Sequence, residues 1–398
     1  MLTTKQVQIK LNVTRQTLYL WRKQGRITTI KKKNGQILWN ESKVLELKSK
    51  RERESNTKNK KMNFEIQNRR YLGSKEKLLP FISKIVHKHM REVKTVADIF
   101  GGTGVVADMF AGEGKRIIVN DILHSNYLIY QTFFSNEEID SGLIRQALNY
   151  MNSLQGYGDG YLKKVYGNRY FSLRNADKIG SARQWVEDNK TQFNHREYAS
   201  LITSIIYGSD KIANTVGHYD AYRKKMDSFN DVTFKMPVIH NYSNNNIYKE
   251  DANKLVRHIY ADLIYIDTPY NSRQYVDTYH VLENIADWNK PEVVGVARKS
   301  IDRKGRKSEY NLVSAPQAFD DLISHINAKY VLVSFSNMCH KGAGRSNSKI
   351  SHEEIITSLS KRGQVSVFSK EFKPFSSGKS NIKNHQELLY LLRVKQHD

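Results

Sequence analysis

The chain has 398 residues, 39% hydrophobic and 26% charged, enough to bury a core and long enough for two or three domains. It has no run of about 18 apolar residues, no apolar signal core in MLTTKQVQIKLNV, and one cysteine, Cys339, which excludes a disulfide framework; a cytoplasmic protein with no membrane partner is expected. The formal net charge is +24, and residues 1–70 carry 19 Lys/Arg against 5 Asp/Glu, a field that attracts polyanions, nucleic acid foremost.

Residues 3–48 read as a compact helical unit. Thr3 or Thr4 caps a first helix to about Leu11, Asn12 and Val13 turn the chain, and Thr14 caps a second helix from Arg15 to Lys23. Gly25 suits the left-handed position that ends that helix. Asn34-Gly35 is a type I′ hairpin dipeptide between short strands, and a third helix follows over 41–48. This order predicts a winged helix-turn-helix over 1–48. Residues 49–63 are charged, with one apolar residue, and are expected to form a flexible linker.

From 64 onward the pattern is α/β. It predicts a helix over 75–91 interrupted at Pro80, a strand over 95–101, a helix over 102–114 and a strand over 116–121. The section 123–245 has helical pieces and a Tyr- and Gly-rich patch but no strand–helix alternation. It reads as a domain inserted into a catalytic domain formed by 64–122 and 246–398. Alternation resumes with a strand over 261–270, a helix near 276–288, a strand over 328–336 and a helix near 351–361, then closing strands over 365–370 and 387–394. Strands separated by helices predict a mostly parallel, Rossmann-like sheet with helices on both faces.

Two motifs carry chemistry. Asp98-Ile-Phe-Gly-Gly-Thr-Gly104 lies at a strand-to-helix turn, where glycines let a ligand approach a helix N-terminus. Asn120-Asp121 ends the next strand, where an acid can accept hydrogen bonds from a ribose diol; the pair reads as a nucleoside-cofactor site, although the glycine spacing is not GxGxxG. Asp267-Thr-Pro-Tyr270 follows the apolar strand LIYI and offers a carboxylate, a backbone carbonyl before proline and a flat ring. Two acceptors can grip an exocyclic amino group while the ring stacks on its base. Asp251, in KEDANKL, also reads as a helix-start cap.

Together with Tyr71-Leu-Gly-Ser-Lys75, Asp251-Ala252, Arg174-Asn-Ala-Asp-Lys-Ile179, Asn214-Thr-Val-Gly-His-Tyr219 and the run from Asn271 to Glu283, these motifs resemble the D12 class of adenine-specific DNA methyltransferases, over about residues 64–395. Thr268 stands where that family usually has proline. The resemblance implies a methyltransferase fold that binds S-adenosyl-methionine. Tyr71 and Lys75 would touch its methionine end, Phe100, Gly102 and Gly104 would line the pocket, Asp121 would hold the ribose, and Asp251 with Ala252 would flank the adenine. A flipped target adenine would stack on Tyr270, its N6 held by Asp267 and by the Thr268 carbonyl ahead of Pro269. Thirteen histidines show no metal spacing, so no metal is expected, and Cys339 reads as a packing residue.

The implied activity is methylation of adenine N6 at a defined sequence in double-stranded DNA. The context would be a restriction–modification system, with a cognate restriction endonuclease that need not be in contact. Cytosine-N4 methylation, or a DNA-binding regulator with an inactive methyltransferase domain, are the alternatives. The 123–245 insertion matches the target-recognition region of this arrangement, with Arg169, Arg174, Lys178, Arg183, Lys211 and Arg223-Lys224-Lys225 as candidate DNA contacts. The N-terminal unit is similar to the helix-turn-helix of MerR- and excisionase-type regulators. Arg15, Gln16, Thr17 and Tyr19 open its second helix, where base edges are read, and Lys31, Lys32 and Lys33 on the wing would meet phosphate.

Overall fold

The computed structural model describes residues 1–11, 15–23, 25, 27–31, 37–46, 63–156, 160–269, 273–301, 307–336, 348–371 and 386–395. Asn12, Val13, Thr14, Asn34-Gly35 and the expected linker, but for Asn63, lie outside these residues, as does Cys339. The chain divides into two compact units, Met1–Phe64 and Glu65–Asp398.

The first unit holds β1 (Leu2–Thr3), α1 (Thr4–Leu11), α2 (Arg15–Lys23), β2 (Thr29–Lys31), β3 (Ile37–Trp39), a short helix α3 over 41–46, and β4 (Asn63–Phe64). Thr3 caps α1, its Oγ1 accepting from Gln6 N while Gln6 Oε1 accepts from Thr3 N at 2.9 Å. Gly25 ends α2 at φ +69°, donating to Arg22 O at 3.0 Å. β1, β2 and β3 form an antiparallel sheet in the order β1-β3-β2. β1 has no counterpart in the sequence pattern, because two residues are too short to show alternation. Val7, Leu11, Leu18, Ile27, Trp39 and Val44 form the core, and Trp39 Nε1 donates to Thr4 Oγ1 at 3.0 Å, tying sheet to helix.

The second unit is built on β5 (Thr95–Asp98), β6 (Arg116–Asn120), β8 (Asn246–Tyr248), β9 (Ala261–Ile266), β12 (Ala328–Ser336), β13 (Gly363–Glu371) and β14 (Gln386–Val394). The two-residue strands β7 (Met236–Pro237), β10 (Val293–Val294) and β11 (Lys299–Ser300) lie outside that sheet. Spatial order is β13-β14-β12-β9-β5-β6-β8. Neighbours from β12 to β8 are parallel, whereas β14 is antiparallel to both β12 and β13. The chain leaves β5 in one direction for β6 and β8, then returns to place β9 on its other side. That reversal opens a crevice at the carboxyl ends of β5 and β9. All six residues of β9 are buried, as a central strand covered on both faces requires.

Helices α4 (Leu79–His89), α5 (Val105–Gly112), α6 (His124–Phe134), α7 (Ser141–Ser153), α8 (Tyr161–Tyr166), α9 (Leu173–Asp188) and α10 (His195–Ile212) precede β8. Then come α11 (Ala252–Leu255), α12 (Tyr275–Thr278), α13 (His280–Asp287), α14 (Ala315–His325) and α15 (His352–Ser360). One side of the sheet buries Ile264, Ile266, Val331 and Val333 against Leu322 and Ile323 of α14 and Ile355 and Leu359 of α15. α5 packs on β5 and β6, and α10, almost wholly buried behind an Asn194/Glu197 capping box, packs on α6 and α13. The 123–245 stretch thus shares the compact unit of the sheet.

Two helices differ from expectation. Pro80 does not interrupt a helix: a 3₁₀ turn, Glu76–Leu78, leads into α4, and Pro80 sits in its first turn, where a missing N–H costs nothing. The helix expected near 276–288 is broken at Tyr279 into α12 and α13.

Candidate active site

The carboxyl ends of β5, β6, β8 and β9 open onto one cavity, with about 970 Å³ of space between its walls and its open mouth. After β5 the chain turns tightly into α5, with Gly102 at φ +52° and Gly104 at +78°, conformations that side chains rarely adopt. A Cβ on Gly104 would stand 2.8 Å from Ile66 Cδ1, and one on Gly102 would stand 3.3 Å from the Tyr71 ring. Tyr130 OH donates to Gly102 O at 2.9 Å and holds the turn from below.

After β6, the Asn120 amide donates to Ile99 O (3.1 Å) and Glu250 O (3.0 Å) and accepts from Glu250 N (3.0 Å), bracing three strand ends. Asp121 accepts from Gly102 N (3.0 Å), Leu123 N (2.9 Å) and Asn126 Nδ2 (2.9 Å). Burial raises its pKa to about 6 against those donors.

After β9, Asp267 Oδ1 lies 2.8 Å from Lys75 Nζ, with Lys75 arriving from the segment ahead of α4. Burial raises the Asp267 pKa, and the Lys75 ammonium pulls it back. Glu387 of β14, opposite Ser336 of β12, is buried nearby; burial raises its pKa, Lys75 lowers it and the Asp267 charge raises it. Asp98, 1% exposed, is pushed up to about 8 by burial first, then by the charges of Asp267 and Asp121, with backbone N–H groups of Phe100 and Ala107 opposing.

One wall is aromatic. The Tyr71 ring stacks on Tyr279 at 4.5 Å and 3°, with Tyr275 stacked at 5.5 Å. The buried Arg69 guanidinium lies over Tyr71 (5.0 Å) and Tyr279 (5.5 Å) and donates from Nη1 to Asn126 Oδ1 at 2.6 Å. Its Nε and Nη2 have no hydrogen-bond partner among the described residues. Phe100 meets Tyr310 edge-on at 5.0 Å.

Tyr71, Lys75, Phe100, Gly102, Asp121, Asp251, Ala252, Asp267, Thr268 and Pro269 all line this cavity. Gly104 shapes it from behind, as the residue ahead of α5. Tyr270 lies outside the described residues. Asp251 lines the cavity and also caps α11, accepting from Asn253 N (3.0 Å) and Lys254 N (3.2 Å).

The candidate DNA contacts lie elsewhere. Arg15 and Gln16 are exposed on α2, Thr17 and Tyr19 half-buried, and the Arg15 guanidinium sits over the Tyr19 ring at 5.6 Å. Lys31 ends β2, and Lys32 and Lys33 are outside the described residues. Arg169 is half-buried, and Arg223 is exposed, 2.7 Å from Asp227. Arg183 is a correction: it is 1% exposed and donates to Ile285 O (2.7 Å) and Glu187 (3.0 Å), so it braces α13 rather than meeting DNA.

Sequence reasoning missed Arg69, Tyr310 and Glu387. Glu387 had a signal, as the one acid at a buried position of the apolar strand QELLYLLRV. Among the described residues no group of three or more His, Cys, Asp or Glu could hold a metal ion, and no helix is long and apolar enough to cross a membrane.

Comparison with known proteins matches this geometry. Residues 71–342 fit the family model of the D12 class N6 adenine-specific DNA methyltransferases. The chain is 34% identical over 347 residues to Modification methylase StsI of Streptococcus sanguinis, covering 81% of this chain and 51% of that protein. It is 32% identical to Modification methylase LlaI of Lactococcus lactis subsp. lactis, covering 80% and 53% respectively, so it spans about half the length of both. Against Type II methyltransferase M.NlaIII of Neisseria lactamica it is 27% identical, covering 79% of this chain and 95% of the other. With a family match running from Tyr71 of the aromatic wall past the Asp267 strand tip, the chain belongs to the D12 class N6 adenine-specific DNA methyltransferases.

Proposed function

We propose that this chain methylates N6 of adenine at a defined sequence in double-stranded DNA, using S-adenosyl-methionine, as the modification enzyme of a restriction–modification system. The observation that carries this reading is the meeting, in one cavity, of the glycine turn after β5 and the Asp267-Thr268-Pro269 tip of β9. The residues suit the cofactor: Asp121 for a ribose diol, the Gly102 turn for close backbone approach, Asp251 with Ala252 for an adenine, and Lys75 near a carboxylate. Bound there, S-adenosyl-methionine supplies a methyl group activated by a positively charged sulfur.

The target base must leave the duplex to reach the cavity. Lys75 holds Oδ1 of Asp267, so Oδ2 accepts from N6 together with the Thr268 carbonyl, drawing the amine lone pair out of conjugation with the ring. Tyr270 stacks on the extruded base. The rate comes from positioning and fixed charge. The 123–245 stretch recognises the target, with Arg169 and Arg223 among its contacts. The N-terminal unit acts as a winged helix-turn-helix through Arg15, Gln16, Thr17, Tyr19 and the wing lysines. A cytoplasmic endonuclease cutting the same unmodified sequence completes the system.

The test is incubation with unmethylated phage DNA and S-adenosyl-methionine, digestion to nucleosides and mass spectrometry. N6-methyladenine is the expected product; N4-methylcytosine, or no methylated base, overturns the reading. Sequencing the modified DNA then gives the recognition sequence.

A further inference from the structure

Five of the fourteen large hydrophobic residues exposed among the described residues fall between Val294 and Val313. One of the two most accessible, Val296, is at the tip of the hairpin β10–β11, where Val293 pairs with Ser300 and Val294 with Lys299. The four-residue loop Gly295–Arg298 closes with Arg298 N donating to Gly295 O at 3.2 Å, and leaves Val296 82% exposed. This tip is not slack. Ala297 O lies 2.7 Å from His280 Nε2 and accepts from Tyr170 OH at 2.9 Å. His280 follows Tyr279 of the cavity's aromatic wall. Downstream, Ser308 exchanges two hydrogen bonds with Gln274 (2.8 and 3.1 Å), and both residues line the cavity.

The backbone here is also strained. Of the six non-glycine residues with left-handed φ among the described residues, Arg298 lies in the hairpin, and Trp288 and Lys290 lie just ahead of it. Such conformations cost about 1–3 kcal/mol each and persist where the surroundings impose them. A strained, firmly anchored turn that presents a bare valine to solvent gains nothing for the fold by doing so. Arg298 follows that valine two residues on, in a chain of net charge +24, while Lys299 Nζ is held by Asp220 Oδ1 at 3.2 Å.

We infer that the 293–300 hairpin is a DNA-contacting element, its Val296 tip entering the duplex beside the extruded adenine while Arg298 meets phosphate. The inference rests on the DNA-methylation reading above. Apolar side chains inserted between base steps offset the cost of unstacking, and a cation beside them binds the backbone. The Ala297 carbonyl joins the tip to His280, whose neighbour Tyr279 stacks on Tyr71 of the cavity lining, and a protein partner would have no need of a cation beside the valine.

The test uses the full chain. Benzoyl-phenylalanine placed at 296 should photo-crosslink to unmethylated phage DNA, whereas the same group at Tyr260, exposed before β9 at the opposite end of the sheet, should not. In parallel, Val296→Ser should lower kcat/KM for DNA about tenfold, as expected for the loss of an apolar wedge, with KM for S-adenosyl-methionine and the melting temperature unchanged. Tyr260→Ser should do neither. An active wild type, no crosslink at 296 and an unchanged kcat/KM in Val296→Ser overturn the hairpin's role alone. A Val296→Ser effect confined to self-association on gel filtration overturns it in favour of a protein surface. A wild type that transfers no methyl group to DNA overturns the methylation reading itself, whatever the hairpin does.

Discussion

The two units handle charge in opposite ways. The N-terminal unit keeps its cations at the surface: Arg15 and Lys23 are exposed on α2, and the Lys43–Glu46 pair is more than half open to water. The second unit gathers Asp98, Asp121, Asp267, Glu387 and Lys75 at the ends of its strands, with little of their surface open to solvent. Surface charges are screened by salt within about 8 Å at physiological ionic strength, and buried ones far less. DNA affinity and methyl transfer should therefore separate cleanly when salt is varied, the first tracking the basic surface and the second the buried cluster.

Substitutions can break or sharpen that contrast. The largest effect is expected from Asp267→Asn, which removes the charged acceptor; tritiated-methyl transfer should fall by about 10²–10³ at any salt concentration, with DNA affinity retained. Near-normal turnover would disprove the role of the buried cluster. Glycines test the two units directly. Gly104→Ala meets Ile66 Cδ1 at 2.8 Å as well as a left-handed φ, whereas Gly25→Ala, at φ +69°, meets nothing within 4 Å. Thermal unfolding should show a loss of about 2–4 kcal/mol for the first and about 1 kcal/mol for the second. Equal losses would mean that the cavity turn is no tighter than the helix end.

Lys75→Gln acts through protonation. Lys75 lowers the pKa of Asp267, so its removal raises that pKa, and the ionised carboxylate is the stronger acceptor for an amine. The acid limb of the pH–rate profile should move to higher pH, with activity partly regained as pH rises; an unmoved limb would separate Lys75 from Asp267. The smallest effect belongs to the exposed face. Arg15→Gln with Lys23→Gln should leave kcat unchanged and reduce the slope of log affinity against log salt by about one for each phosphate no longer neutralised. A steady slope would place the DNA elsewhere.

Much of this was legible in the sequence, because local chemistry writes it there. The strand-end acids Asp98, Asp121 and Asp267 each follow an apolar run, and the glycines between Asp98 and Val105 announce a tight turn. What stayed hidden depends on partners far along the chain. Glu387 reaches the Lys75–Asp267 pair only through the pairing of β14 with β12. Arg69 looks like one basic residue among many until Tyr71 and Tyr279 stack beneath it. Arg183 misled for the converse reason: a charge on a helix reads as solvated unless the backbone carbonyl that buries it is known. The 293–300 hairpin carries almost no apolar alternation, its strands being two residues each.

The antiparallel strand β14 has a consequence for synthesis. Because it threads between β12 and β13, the earlier-made β13 has no neighbour in the sheet until residues 386–394 have left the ribosome. Until then the nascent polypeptide exposes unpaired edges, a known invitation to intermolecular sticking. A product halted short of Gln386 would lack Glu387 as well as the seam that closes the sheet. Quality control of translation termination thus bears on this enzyme more heavily than its strand-end motifs, all encoded well upstream, would suggest.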